Sequence, residues 1–373
     1  MKKKYIPVGS FLIIFLLFSG NLFAQQESRF FVRGNVNQEY SNNFYRFSDS
    51  AKSNDFRLLS SIIAGFSWKD DSLFSAVDIY YENRYLRYYK LTKYIRMEHN
   101  LTLDGSIRID NNNVLFLNNK SRVRDYSELT QYNYFRNILD LYDQLKLSSE
   151  LNLVIGYKYW IKNYPNSSLF QNYSSHRTFI KLNYRLSEKD YLGLRFEYQY
   201  HKGNLYPLIN LINKNSNLTG SRYFLEASLS KLWGELILTD FSYKLESDQP
   251  SNPNDQAQNN YQGDENFEEL LIDDADFDYI KNQFNFSLLL KLSERISLFS
   301  FNVLQFKNFN NWLINPDENL RRDILFFSSV ILKYKLAQSY RINLYYNLED
   351  NHSNLSSAKY NSSRMGLGLQ FSF

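Results

Sequence analysis

Residues 191–200 read Tyr191-Leu192-Gly193-Leu194-Arg195-Phe196-Glu197-Tyr198-Gln199-Tyr200. Leu192, Leu194, Phe196, Tyr198 and Tyr200 share one parity; Gly193, Arg195, Glu197 and Gln199 share the other. A helix would mix these sets around its axis, whereas an extended strand sends them to opposite faces. The pattern recurs. Thr178, Ile180, Leu182 and Tyr184 oppose Lys181, Asn183 and Arg185. Leu153, Ile155, Tyr157, Tyr159 and Ile161 oppose Asn152, Gly156 and Lys158, and Ile342, Leu344, Tyr346 and Leu348 oppose Arg341, Asn343, Tyr345, Asn347 and Glu349. Each strand is oily on one side and wet on the other.

Composition agrees. The 373-residue chain has 31 Tyr and 30 Phe against 13 Gly and 6 Pro, and aromatic residues favour strands. A mean hydropathy of −0.48 is too polar for a bundle of spanning helices. Beyond residue 24 no apolar run approaches the roughly 20 residues such a helix needs. Strands with one face toward lipid and one toward water account for a polar average with heavy aromatic content.

Short turns punctuate the strands. LKLSSELNL (145–153), YRLSEKDYL (184–192), LKLSERISL (290–298) and YKLAQSYRI (334–342) share a plan: a strand ending apolar-basic-Leu, a small residue, polar residues, a new strand. LTLDGSIRI (101–109) reads as the same plan around an Asp-Gly turn. WKDDSLF (68–74) and LSKLWGELIL (229–238) follow it more loosely. Longer polar segments lie between, near 42–55, 87–93, 119–130, 163–172, 202–220, 246–277, 309–320 and 350–356. Short and long connections alternate, as periplasmic turns and outside loops do in an outer-membrane barrel. Seven short turns and eight long loops predict an all-β fold, a transmembrane antiparallel up-and-down β-barrel of sixteen strands within a range of fourteen to eighteen. Alternation is weakest over 106–130.

The first residues, MKKKYIPVGSFLIIFLLFSGNLFA, place three lysines before the apolar block Phe11–Phe18 and end on Ala24. That is the layout of a secretory signal peptide, so residues 1–24 are expected to be cleaved and 25–373 to form one barrel domain. The leader holds three lysines and no acid, which leaves the rest of a +4 chain close to neutral and removes the charge argument for nucleic acid. With no cysteine, neither disulfides nor a thiolate metal site can form.

The chain closes GLGLQFSF (366–373). A spanning sheet must pair its edges, because each backbone polar group stranded in hydrocarbon costs several kcal/mol. The final strand is therefore expected to pair with Phe30–Tyr40, with Met365, Leu367, Leu369, Phe371 and Phe373 toward lipid. This terminal strand resembles the closing signal of Gram-negative outer-membrane β-barrel proteins. The resemblance implies recognition by the outer-membrane insertion machinery and localisation in the outer membrane. The last hairpin, residues 341–373, also resembles the barrel ends of surface lipoprotein assembly modifiers, without the helical-repeat domain that precedes those barrels.

The inward parity is expected to carry Arg33, Arg57, Asp78, Glu82, Arg96, Glu98, Lys158, Lys181, Arg185, Arg195, Glu197, Glu226, Asp240, Lys281, Arg341 and Glu349. These pore-lining candidates suit a porin-like channel for diffusion of small polar solutes, and their mixed sign argues against strong ion selectivity. The alternative is a surface-interaction or export-helper barrel with a closed lumen. The acidic stretch 246–277, read as an outside loop, runs into Asp274, Asp276 and Asp278, a spacing that can suit calcium but lacks the Gly and Glu of an EF-hand. Arg87, Lys90, Lys93 and Arg96 interleave with Tyr85, Tyr88, Tyr89 and Tyr94, which suits a rim meeting lipid headgroup or lipopolysaccharide phosphates. The four histidines, His99, His176, His201 and His352, show no legible nucleophile–base–orienter set, so an outer-leaflet lipid-modifying enzyme is the least favoured alternative, and no cofactor is expected.

Overall fold

A computed structural model describes residues 27–43, 54–69, 74–166, 172–202, 219–250, 279–313 and 320–373. The expected leader and Asp274, Asp276 and Asp278 lie outside the described residues. The chain forms β1 (Glu27–Ser41), β2 (Asp55–Lys69), β3 (Phe74–Tyr88), β4 (Arg96–Arg108), β5 (Asn113–Tyr126), β6 (Tyr134–Lys146), β7 (Leu151–Asn163) and β8 (Tyr173–Arg185). It continues through β9 (Tyr191–Lys202), β10 (Thr219–Trp233), β11 (Ile237–Pro250), β12 (Tyr279–Lys291), β13 (Ile296–Leu313), β14 (Leu320–Ala337), β15 (Tyr340–Ser353) and β16 (Tyr360–Ser372). Each strand pairs antiparallel with the one before it, and β16 pairs with β1, so the sheet is a closed sixteen-strand barrel. No described helix is long and apolar enough to cross a membrane.

The closure follows the expected register. Gly34 faces Phe371, Val36 faces Leu369 and Gln38 faces Leu367. Val32 and Phe373 exchange backbone hydrogen bonds of 3.1 and 2.8 Å, so the last residue is stitched into the wall. Phe371 lies over Gly34, where a Cβ would collide with its ring. Met365, Leu367, Leu369 and Phe373 are exposed on the outer face, as are Leu192, Leu194 and Phe196 of β9. Turning β9 over would put Arg195 into hydrocarbon, at a cost of roughly 2–4 kcal/mol near the bilayer midplane.

The repeated short turns share a local cause. The Ser148 hydroxyl accepts the backbone N–H groups of Glu150 and Leu151, at 3.2 and 3.0 Å. Ser293 does the same for Arg295 and Ile296, and Ser187 for Lys189. A side-chain oxygen thus replaces water for donors that the turn leaves unpaired. At the β10–β11 turn, Gly234 has φ +64°, a left-handed conformation that glycine adopts without a Cβ clash.

Expected boundaries move in several places: 309–313 belong to β13 and 350–353 to β15 rather than to loops, and two further shifts bear on the enclosed face. Asp104 and Gly105 do not turn; β4 runs through them to Arg108, and Asn118 of β5 donates its side-chain N–H to the Asp104 carboxylate. The turn is 109–112, where Asp110 accepts the Asn112 backbone N–H at 2.7 Å. Residues 119–126, expected in a loop, complete β5. The second change is at 246–250, which belongs to β11 rather than to the acidic loop. Asp143 and Lys231, which break the apolar pattern of the outer face, lie near the short-turn ends of β6 and β10.

The enclosed face as a candidate functional site

All sixteen sequence-predicted pore-lining residues fall on the enclosed face of the barrel, opposite the exposed apolar side chains. They do not form one population. Near the long-loop end they belong to a packed belt; farther down the wall they are partly open.

The belt is tightest across β9–β12. Arg222 is 0% exposed, and its Nε and Nη2 donate to Asp248 Oδ2 at 3.0 and 2.6 Å. Glu246 Oε1 accepts from the Tyr279 hydroxyl at 2.5 Å, and its Oε2 forms ion pairs with Lys281 Nζ at 2.6 Å and Lys244 Nζ at 3.3 Å. On the far side of Arg222, His201 Nε2 lies 3.4 Å from Asp248 Oδ1. His201 is on β9 and Asp248 on β11, so the ring must cross β10. It does so over Gly220, where a Cβ would collide with the imidazole.

Around the rest of the circumference the same logic repeats. Glu98 holds Arg96 and Arg124 at 3.2 and 2.9 Å. Tyr134 lies beneath Arg124 and Lys162, whose cationic centres are 4.7 and 4.4 Å from its ring. Lys307 Nζ is 3.7 Å from the Tyr279 ring, and Arg321 binds Asp323 at 2.6 Å while covering Phe309. At the seam, Arg57 donates to Glu39 at 2.5 Å, and Tyr345 reaches toward the same carboxylate across Gly366. Charges this deeply buried need partners, because desolvation costs several kcal/mol per ion. Carboxylates and aromatic faces supply them.

Other side chains on the same face are accessible: Arg84, level with Glu98 of the belt, is 36% exposed, and farther from the long loops Arg195 is 29% and Lys158 28% exposed. Lys158 meets Asp140 at 3.0 Å; Arg177 and Arg195 share Glu197 at 2.9 and 2.6 Å. Arg195 also lies over Phe179, 4.3 Å from its ring centre. At the short-turn end Lys333, Lys335 and Arg341 are exposed.

The sequence-based expectation is a lumen of mixed sign without strong ion selectivity, and the strand registers give that mixture a bias. Following the alternation through the strand registers places roughly two cations on the enclosed face for every carboxylate, an excess large enough to set a field. The pattern of β9 extended to β5, β8 and β13 would have found Lys120, Arg122, Arg124, Arg177 and Lys307. Poor alternation and the misplaced Asp-Gly turn hid those on β5. Glu246, Asp248 and His201 were missed because the first two read as loop.

The histidines are dispersed. On the outer face His99 lies 2.5 Å from the Tyr81 hydroxyl, and His176 lies 2.6 Å from that of Tyr157. His352 pairs with Asp350 at 2.9 Å on an exposed strand end. Ser175, His201 and Asp248 stand close together within the belt, with Ser175 directly opposite His201. All three are enclosed by the wall at about 1% exposure, and the structure shows no Ser175–His201 hydrogen bond, so they read as packing. Among the described residues no group of three or more His, Asp or Glu is arranged to hold a metal ion.

No family model matches the chain, and no curated protein matches it. Its similarity to solved structures is one of fold. The outer membrane channel DcaP of Acinetobacter baumannii superposes with a TM-score of 0.54 at 11% identity, covering 94% of this chain and 99% of that one. OccAB1 of the same organism gives 0.50 at 8% identity, covering 93% and 96%. A closed sheet whose outer surface is a continuous apolar band, with its polar groups turned inward, satisfies what hydrocarbon demands of a spanning strand protein. The chain is a sixteen-strand β-barrel of the bacterial outer membrane.

Proposed function

We propose that the barrel is a porin-like channel through which small polar solutes diffuse. The observation that supports this reading is the accessible charge on the enclosed face: Arg84, Lys158 and Arg195 remain about a third exposed inside a wall with no open edge. Charged side chains tune which solutes pass a water-filled lumen. The long loops would face outside. There Arg87 and Lys93, against the rings of Tyr89 and Tyr94, would meet the phosphates of lipid headgroups or lipopolysaccharide.

Conductance of the refolded chain in a planar bilayer tests the proposal. Stable open steps are expected. Silence from a barrel whose folding is verified by heat modifiability overturns it. It would leave the second reading, a closed barrel that binds a partner through its long loops, which the packing of the belt favours. The resemblance of the last hairpin to surface lipoprotein assembly modifiers belongs with that second reading.

A further inference from the structure

We infer that the lumen selects small anions, and that they move along a track of cations on β7, β8 and β9; the inference rests on the channel reading and names its substrate class. The track is Lys158 on β7, Arg177, Lys181 and Arg185 on β8, and Arg195 on β9. On β8 these occupy every fourth residue, which at about 3.3 Å per residue spaces them roughly 13 Å apart on one face. Lys158 and Arg195 widen the track sideways: Lys158 stands directly opposite Arg177, and Lys181 directly opposite Arg195.

Two such pairings are informative because like charges directly opposite each other, with Cβ atoms about 5 Å apart, destabilise a sheet. The carboxylates facing the track are Asp140, bound to Lys158, Glu197, shared by Arg177 and Arg195, and Glu226, opposite Arg195 on β10. They leave the track positive. Lys181 and Arg185 make no ion pair among the described residues. β7 and β8 place no carboxylate on the enclosed face, so two adjacent strands are cationic throughout. Arg177, 14% exposed, is held to Glu197 much as the belt holds its cations, but Lys181 and Arg185 stay partly open to the lumen with no carboxylate of their own, and Lys158 and Arg195 stay 28% and 29% exposed despite theirs. A passing anion can take the place of the missing carboxylates, at each step trading water for charge-assisted hydrogen bonds.

Reversal potentials of the full refolded chain across a KCl gradient test this. A chloride-preferring potential is expected at low ionic strength. It should shrink toward zero near 1 M salt, where the screening length falls to about 3 Å. Lys181→Glu with Arg195→Glu should move the chloride-to-potassium permeability ratio several-fold toward potassium. Should that variant fail to fold, the neutral pair Lys181→Gln with Arg185→Gln should move it in the same direction by less. Lys333→Gln with Lys335→Gln, across the barrel from the track, should change it little. Open steps with a null or potassium-preferring potential in the unmodified chain overturn the inference while the channel reading stands. Equal shifts from the track and the distant pair overturn the track. Absence of steps rejects the channel reading and the anion route together.

Discussion

The belt at the long-loop end and the wall at the short-turn end use the same residue types to opposite effect. Arg222 and Arg124 are 0% and 1% exposed, each locked to a carboxylate. Lys333, Lys335 and Arg341 repeat the chemistry of a basic strand end and stand open to solvent. Lys335 even faces Arg341 directly, a pairing tolerable only where water screens it. The difference teaches that an inward charge is not by itself a pore residue. In the belt it is a strut, since the strand across from it supplies an acid or a ring. On the lower wall it is a surface.

Substitutions should separate the two regions, and the largest effect belongs to the belt. Arg222→Ala would leave Asp248 buried without its guanidinium partner, at a cost of about 3–5 kcal/mol. The transition temperature of the heat-modifiable band should fall far more than for any change to Lys333 or Lys335; an equal fall would erase the distinction. The outer face should come next. Leu194→Arg, midway along β9, should cost roughly 2–4 kcal/mol, and Leu336→Arg, at a strand end, about 0–1. Denaturant unfolding in lipid would show whether depth orders them so.

A smaller effect is expected where glycine opens a path across a strand. Gly220→Val would push His201 off Asp248, with an overpacking cost of about 1–3 kcal/mol. The same change at Gly105, on the outer face with nothing within 4 Å, should be nearly silent. Smallest of all, Lys335→Gln should shift stability by less than about 0.5 kcal/mol. A large loss there would mean that the lower wall is packed like the belt.

The architecture was legible because lipid leaves a strand little choice. Period-two alternation in β8, β9 and β15 and the serine-led short turns suffice to set strand number, facing and the closing pair. The failures have a common cause. β5 carries Asn119 and Ser121 outward and Phe116 inward, and Asn137 of β6 hydrogen-bonds the two outward groups, so polarity there does not mark the face. Asp104-Gly105 looks like a turn because its local chemistry permits one; the partner that holds it in a strand, Asn118, depends on register. Glu246 and Asp248 look like loop by composition until Arg222, Lys281 and Tyr279 are brought beside them. Inward facing can be read from one strand. Which inward charges are neutralised requires the neighbours, and so the belt, the cation excess and the track emerge only once the sheet is registered.

The central claim is that one wall separates oil from accessible water residue by residue. The chain has no cysteine, so single cysteines can be placed along β8 and β9 and offered a membrane-impermeant maleimide in intact outer membranes. Lys181→Cys and Arg195→Cys should label, while Leu182→Cys and Leu194→Cys should stay unlabelled until detergent is added. Equal labelling of both parities, or labelling of the apolar set alone, would contradict the account.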